Sequence, residues 1–289
     1  MGLAPPSSML TPHDIHHGIL LPAFLAAVIL LLALIPKIRR YAHVVLLISL
    51  TVAFVFPYMH LFGRPSLPPI ESTQWAFYLA IAIFPITLII DFSGLRSLSL
   101  PLLFLSTTLI LWPILRNDSS FAESATTISL IAFAGFISYL SLIHLAPRIG
   151  GRSLHVILLV LLLASAQILM MSSSQTLGQT SLILAAAMAG ALPLLFYLKI
   201  PLTNGPLLLI VLLWHAFLMS GHFTAGLTPL NALLLVIAPH LAWVAEFRAR
   251  QWPKLARGSL RFGAVFIPML TAQIVAWRDF VEATKEMQY

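Results

Sequence analysis

Histidine and methionine are the residues here whose types and spacing could do chemistry. His13, His16 and His17 recur at i, i+3 and i+4, the spacing of one helix face. His215, Met219 and His222 recur at i, i+4 and i+7 and make a second stripe. Met59-His60 and Met170-Met171 close two further apolar runs. Imidazole and thioether both bind copper well, and imidazole also suits zinc and haem iron. His13, His16, His17, His60, Met219 and His222 are therefore candidate metal ligands, with copper or haem as the cofactor. The plainer reading of the same residues is His resting at an interface and Met filling gaps.

A second set lies deeper. His240 follows Pro239 near the middle of an apolar run, and a lone histidine in such a run calls for a polar partner. His215, His240, Asn231 and Gln167 are the candidates for contacting a substrate or cofactor. At 1.5 Å per helical residue, His215 and His240 differ in depth by about 10 Å, which disfavours one haem shared between them. Asn231, Gln167 and Gln273 also suit hydrogen bonding between helices.

Other chemistry is excluded or weakened. The chain has no cysteine, so disulfides, thiolate metal sites and Cys nucleophiles are ruled out. It carries no P-loop, G-x-G-x-x-G, H-E-x-x-H or G-x-S-x-G motif. Asp91, Lys199 and Glu246 sit at the ends of apolar runs, and no carboxylate lies deep within one. That counts against a carrier coupled to protons through carboxylates.

The elements that must position these residues follow from composition. The 289 residues are 60% hydrophobic and 9% charged, whereas soluble domains carry about 25% charged residues. A helical crossing needs roughly 20 apolar residues. The apolar runs fall at 13–36, 42–62, 74–91, 96–115, 124–146, 153–172, 177–198, 203–222, 228–247 and 259–278. The fold class is all-α: a polytopic transmembrane bundle of about ten spans with short loops, read as a single domain over 1–289. Five runs fall on each side of Gly150-Gly151, so halves 1–149 and 150–289 would run in opposite senses, as in inverted repeats.

Lys37, Arg39, Arg40, Arg96, Arg148, Arg152, Lys199, Arg248, Arg250, Lys254, Arg257 and Arg261 fall in breaks on one common side. Arg64, Arg116, Arg278 and Lys285 fall on the other. By the positive-inside rule the first set is cytoplasmic and both termini are outside. Residues 1–18 contain no Lys or Arg, so the chain opens without the positive region of a secretory signal. The net charge of +7 then belongs to loops that meet anionic lipid at the inner face, not to nucleic-acid binding. The break at 247–261 is the longest basic segment and reads as resting on headgroups. Trp75, Trp112 and Trp277 mark the outer ends of runs, and Trp243 and Trp252 the inner.

Thr11-Pro12-His13-Asp14 reads as a helix start with Thr11 as N-cap and Asp14 closing a capping box. Pro22, Pro57, Pro85, Pro193, Pro239 and Pro268 lie within runs, where each removes a backbone hydrogen bond. Ala134-Gly135 with Ser138, and Ala186-x-x-x-Gly190, suit close helix packing. Three functions fit this reading: a small-molecule transporter of a bacterial inner membrane, a membrane protein handling a redox cofactor or metal through outer-face His and Met, or a subunit of a larger membrane complex. The transporter demands a polar cavity near the midplane around His240.

Overall fold

The computed structural model describes residues 11–118, 120–149, 151–249 and 251–286. Gly150, Arg250 and the first ten residues, which figure in the reading above, lie outside them. Ten helices are long and apolar enough to cross a membrane. They are α1 (Pro12–Leu34), α2 (Ala42–Phe62), α3 (Ser72–Ser93), α4 (Ser99–Asp118), α5 (Phe121–Ile149), α6 (Gly151–Met171), α7 (Gln175–Leu198), α8 (Asn204–Thr224), α9 (Pro229–Arg248) and α10 (Lys254–Glu286). No strand occurs among the described residues. This is a multi-pass membrane architecture. Ten crossings return the chain to the face on which it starts, here called the terminal face. The opposite one is the basic face.

Surface and core are arranged as lipid requires. Large apolar side chains point outward, with Phe24 64%, Leu130 66% and Ile267 66% exposed. Since lipid tails are as apolar as leucine, helix association rests on close packing and on hydrogen bonds between helices. The core is built around α8. Every residue from Gly205 to Gly221 is buried, and α8 packs against α2, α3, α4, α5 and α7. Hairpins α1–α2, α4–α5, α6–α7 and α9–α10 surround it.

Two helices are not continuous. In α1 an α-turn at Pro12–Ile15 passes into a π-turn at His16–Leu20, and the helix ends in a 3-10 turn at Leu31–Leu34. In α9 a 3-10 turn at Ala238–Leu241 contains Pro239. The other in-run prolines at 57, 85, 193 and 268 lie inside helices, as do Pro113 and Pro147. Thr11 caps α1 as expected: its hydroxyl accepts from the Asp14 N–H at 3.1 Å, while the Asp14 carboxylate accepts from the Thr11 N–H at 2.9 Å.

The basic 247–261 segment is not a break along its whole length. Helix resumes at Lys254, and Arg261 is 7% exposed and paired with Glu246 across the α9–α10 turn. Two opposite charges fifteen residues apart look independent in sequence; here the turn brings them together. Helix ends also run past the apolar stretches, as in α5 and α10, because backbone hydrogen bonding continues beyond the hydrocarbon.

Glycines set the closest approaches. Gly190 of α7 lies directly on the Ala23 backbone of α1, where a Cβ would overlap the carbonyl oxygen. The small-residue pattern in α7 is thus a contact within the bundle. Gly190→Ala should push α1 off α7 and cost about 1–3 kcal/mol, read by reversible unfolding in mixed micelles. Gly263→Ala, with nothing within 4 Å of its Cβ, should be neutral or stabilising. Equal stability of the two variants would refute this packing.

Candidate functional site

Four of the candidate metal ligands meet. The capping box starts α1 at Pro12, and the helical spacing then puts His13, His16 and His17 together. Gly18, buried, lies beside Leu61 of α2, with 3.9 Å from its Cβ position to the leucine Cδ2. That approach brings His60, near the end of α2, to the same place. His17 is the hub. Its ring centroid is 4.5 Å from His13, 4.6 Å from His16 and 5.6 Å from His60, the last in a parallel stack. The His17 Nδ1 is buried and has no hydrogen-bond partner. His60 also packs on Phe56 at 4.4 Å. The Asp14 Oδ2 accepts from both the Thr11 N–H and hydroxyl. Among the described residues no three His, Cys, Asp or Glu side chains are already disposed around one ion. Two imidazoles on one tetrahedral ion, with metal–nitrogen bonds of about 2 Å, would have ring centres roughly 5 Å apart. The observed spacings bracket that value, and His13 and His16 are exposed and free to turn.

The α8 residues of the candidate set lie elsewhere. His222 turns to its own loop, its Nδ1 2.8 Å from the Leu227 carbonyl oxygen and its ring edge-on to Phe223. Met219 is buried in the core. His215 is buried against α5, where its Nε2–H donates to the Ile131 carbonyl at 3.0 Å. Gly135 makes that possible, because a Cβ there would stand 3.1 Å from the ring. The His215 Nδ1 is left without a partner.

His240 is held between two serines of α5. Its Nδ1 is 2.9 Å from the Ser141 hydroxyl and its Nε2 is 3.1 Å from the Ser138 hydroxyl. The Trp243 indole N–H donates to the same Ser141 oxygen at 3.0 Å. One neutral tautomer satisfies all three groups: Ser141 donates to Nδ1 while accepting from Trp243, and Nε2–H donates to Ser138. Arg148 lies over the Trp243 ring at 4.8 Å and fixes the tryptophan from its other side. His240 is thus an interhelical anchor with both nitrogens engaged. Sequence alone signalled that a partner was needed; the serines sit about a hundred residues away.

Asn231 is buried near the start of α9, where its N–H donates to the Thr228 hydroxyl at 3.3 Å and its Oδ1 has no partner. Gln167 is exposed. With Gln273 it lines a groove of about 180 Å³ between α6 and α10, walled by Val160, Ala164, Phe266 and Met269. The four candidates for contacting a substrate or cofactor therefore lie in separate surroundings.

The basic face carries a polar group that sequence reading passed over. The Asp91 side chain is 1% exposed, accepts from the Gly205 N–H at 3.1 Å and lies 3.6 Å from the His43 Nε2. Its position at a span end made it look solvated, whereas the start of α8 covers it.

Fold and sites together define a class: a multi-pass membrane protein with a histidine cluster where its first two spans meet the terminal face. Set against protein-family models, curated proteins and solved structures, the chain matches none of them.

The serine clamp is directly testable. Ser141→Ala removes the partner of both His240 and Trp243, and should lower stability by about 1–2 kcal/mol in reversible unfolding. Ser129→Ala, whose hydroxyl bonds only within its own helix at Ala125, should stay near wild type. If both variants match wild type, the clamp contributes nothing.

Proposed function

We propose that this protein binds a transition-metal ion, copper or zinc in class, at its terminal face through His13, His16, His17 and His60. The observation that carries the reading is the hub at His17: three imidazoles within 5.6 Å and a buried ring nitrogen with no partner. Neutral imidazoles supply nitrogen ligands without bringing charge to the edge of the hydrocarbon. Arg39, Arg40 and most other cations lie at the opposite face, and so do not compete with a bound cation. That asymmetry favours a non-cytoplasmic terminal face, in a bacterial inner membrane.

A second reading is small-molecule transport, with the breaks in α1 and α9 as its support. Turns of π or 3-10 type leave carbonyl oxygens outside the α-helical pattern, and such helices line paths in carriers. The cysteine-free chain allows a direct check. Ala238→Cys, buried in the α9 break, should react with a water-soluble maleimide in vesicles if a path runs there. Absence of labelling would exclude that path.

The metal reading is tested by calorimetric titration of the purified protein with Cu(II) and with Zn(II). One equivalent should bind, and His17→Ala or His60→Ala should weaken binding at least tenfold. His222→Ala, engaged with Leu227, should leave it unchanged. Failure of the wild type to bind either ion, or equal effects of all three variants, would refute it.

A further inference from the structure

We propose that a hollow at the basic face holds the headgroup of a membrane phospholipid whose phosphate carries a hydrogen-bond-donating substituent. The hollow measures about 300 Å³ and lies where the start of α4, the end of α5 and the start of α8 meet. Ile143, Ala146 and Pro147 form its apolar wall, and Arg96, Thr203 and Asn204 its polar one.

Three features point to that chemistry. Arg96 makes no ion pair among the described residues. Its planar fork matches phosphate oxygens. Thr203 Oγ1 is buried without a partner and supplies a second donor. Asn204 Oδ1 is likewise buried without a partner, and it needs the opposite: a ligand that donates. The phosphodiester of a lipid cannot do so, but an ethanolamine ammonium or a glycerol hydroxyl can. Choline offers no N–H or O–H.

The neighbourhood is consistent with this division. The start of α8 is not what attracts the phosphate, because the Gly205 N–H already serves Asp91 and residue 206 is proline. Asp91 Oδ1 accepts from the Gly205 N–H, while its buried Oδ2, 3.6 Å from the His43 Nε2, makes no hydrogen bond. Its charge lies on the side where a donor substituent would be drawn and repels a second phosphate. The depth also fits, since all three helices end or begin here and the apolar wall continues toward the acyl region. Basic pockets between helices at this level suit lipid headgroups.

The test is native mass spectrometry of the full protein in detergent, titrated with phosphatidylglycerol, phosphatidylethanolamine, phosphatidylcholine and soluble glycerol phosphate. One phosphatidylglycerol or phosphatidylethanolamine should be retained, with phosphatidylcholine at least tenfold weaker. Arg96→Gln should lose at least tenfold, while Arg39→Gln, an exposed arginine of the same face, should not. Ala146→Trp fills the hollow but keeps the arginine, and should also lose the lipid. Equal retention of all three lipids, or wild-type retention by both hollow variants, would overturn the proposal. So would saturation by glycerol phosphate with no lipid retained.

Discussion

The structure depends on satisfying the polar groups of a helix that touches neither water nor lipid. α8 is buried on every side, so its tryptophan and histidine must find partners inside the bundle. In that setting an unpaired donor is costly, and the partners are correspondingly specific. The Trp214 N–H donates to the Ser165 hydroxyl of α6 at 3.0 Å, the His215 N–H to the Ile131 carbonyl of α5, and the Gly205 N–H to Asp91 of α3. Three surrounding helices are thus each tied to α8 by one hydrogen bond, two at the level of Trp214 and His215 and one at its start. Since the apolar drive between helices is weak in lipid, these bonds and the glycine contacts fix which helix stands beside which.

The same logic governs the outer helices. Ser49 of α2 donates to the Ala26 carbonyl of α1 at 2.9 Å, and Ser181 of α7 donates to the Leu162 carbonyl of α6 at 3.2 Å. α9 is attached to α5 through His240, Trp243 and their serines. Each link joins a small hydroxyl to a group on a neighbouring helix, and serine is short enough to let the backbones approach. The bundle resembles a set of helices riveted at single points more than a core held by burial.

How much of this was legible in sequence depends on range. Span number and the α1 cap are local: apolar length and the Thr11–Asp14 spacing decide them within a few residues. The cluster of His13, His16 and His17 is local too, because helical periodicity alone sets it. His60 could not be placed, since its arrival depends on how α2 packs beside α1. His222 illustrates the reverse. Its stripe with His215 and Met219 is regular, but α8 is buried all round, so a helical stripe there marks no accessible face. Asp91 and Arg261 show a third limit. A charge at a span end reads as solvated, and only the covering segment reveals that it is buried.

The histidine cluster acquires a mechanical meaning from the helix that carries it. α1 is the least buried of the ten spans, 28% against 83% for α8. It is held by Gly190 beneath Ala23, by Ser49 on Ala26, and by Gly18 against Leu61. The first two contacts lie toward the middle of the helix. At the terminal face the Gly18 contact and the His17–His60 stack join α1 to α2, and the π-turn at His16–Leu20, which also packs on α7, interrupts the regular backbone at that level. An ion shared between α1 imidazoles and His60 would therefore add a cross-link between α1 and α2 at that level. Binding there favours whichever arrangement of α1 brings the rings together, by the difference in affinity between the two arrangements. On that proposal the break in α1 would serve as the joint, and the metal as the clasp that closes it.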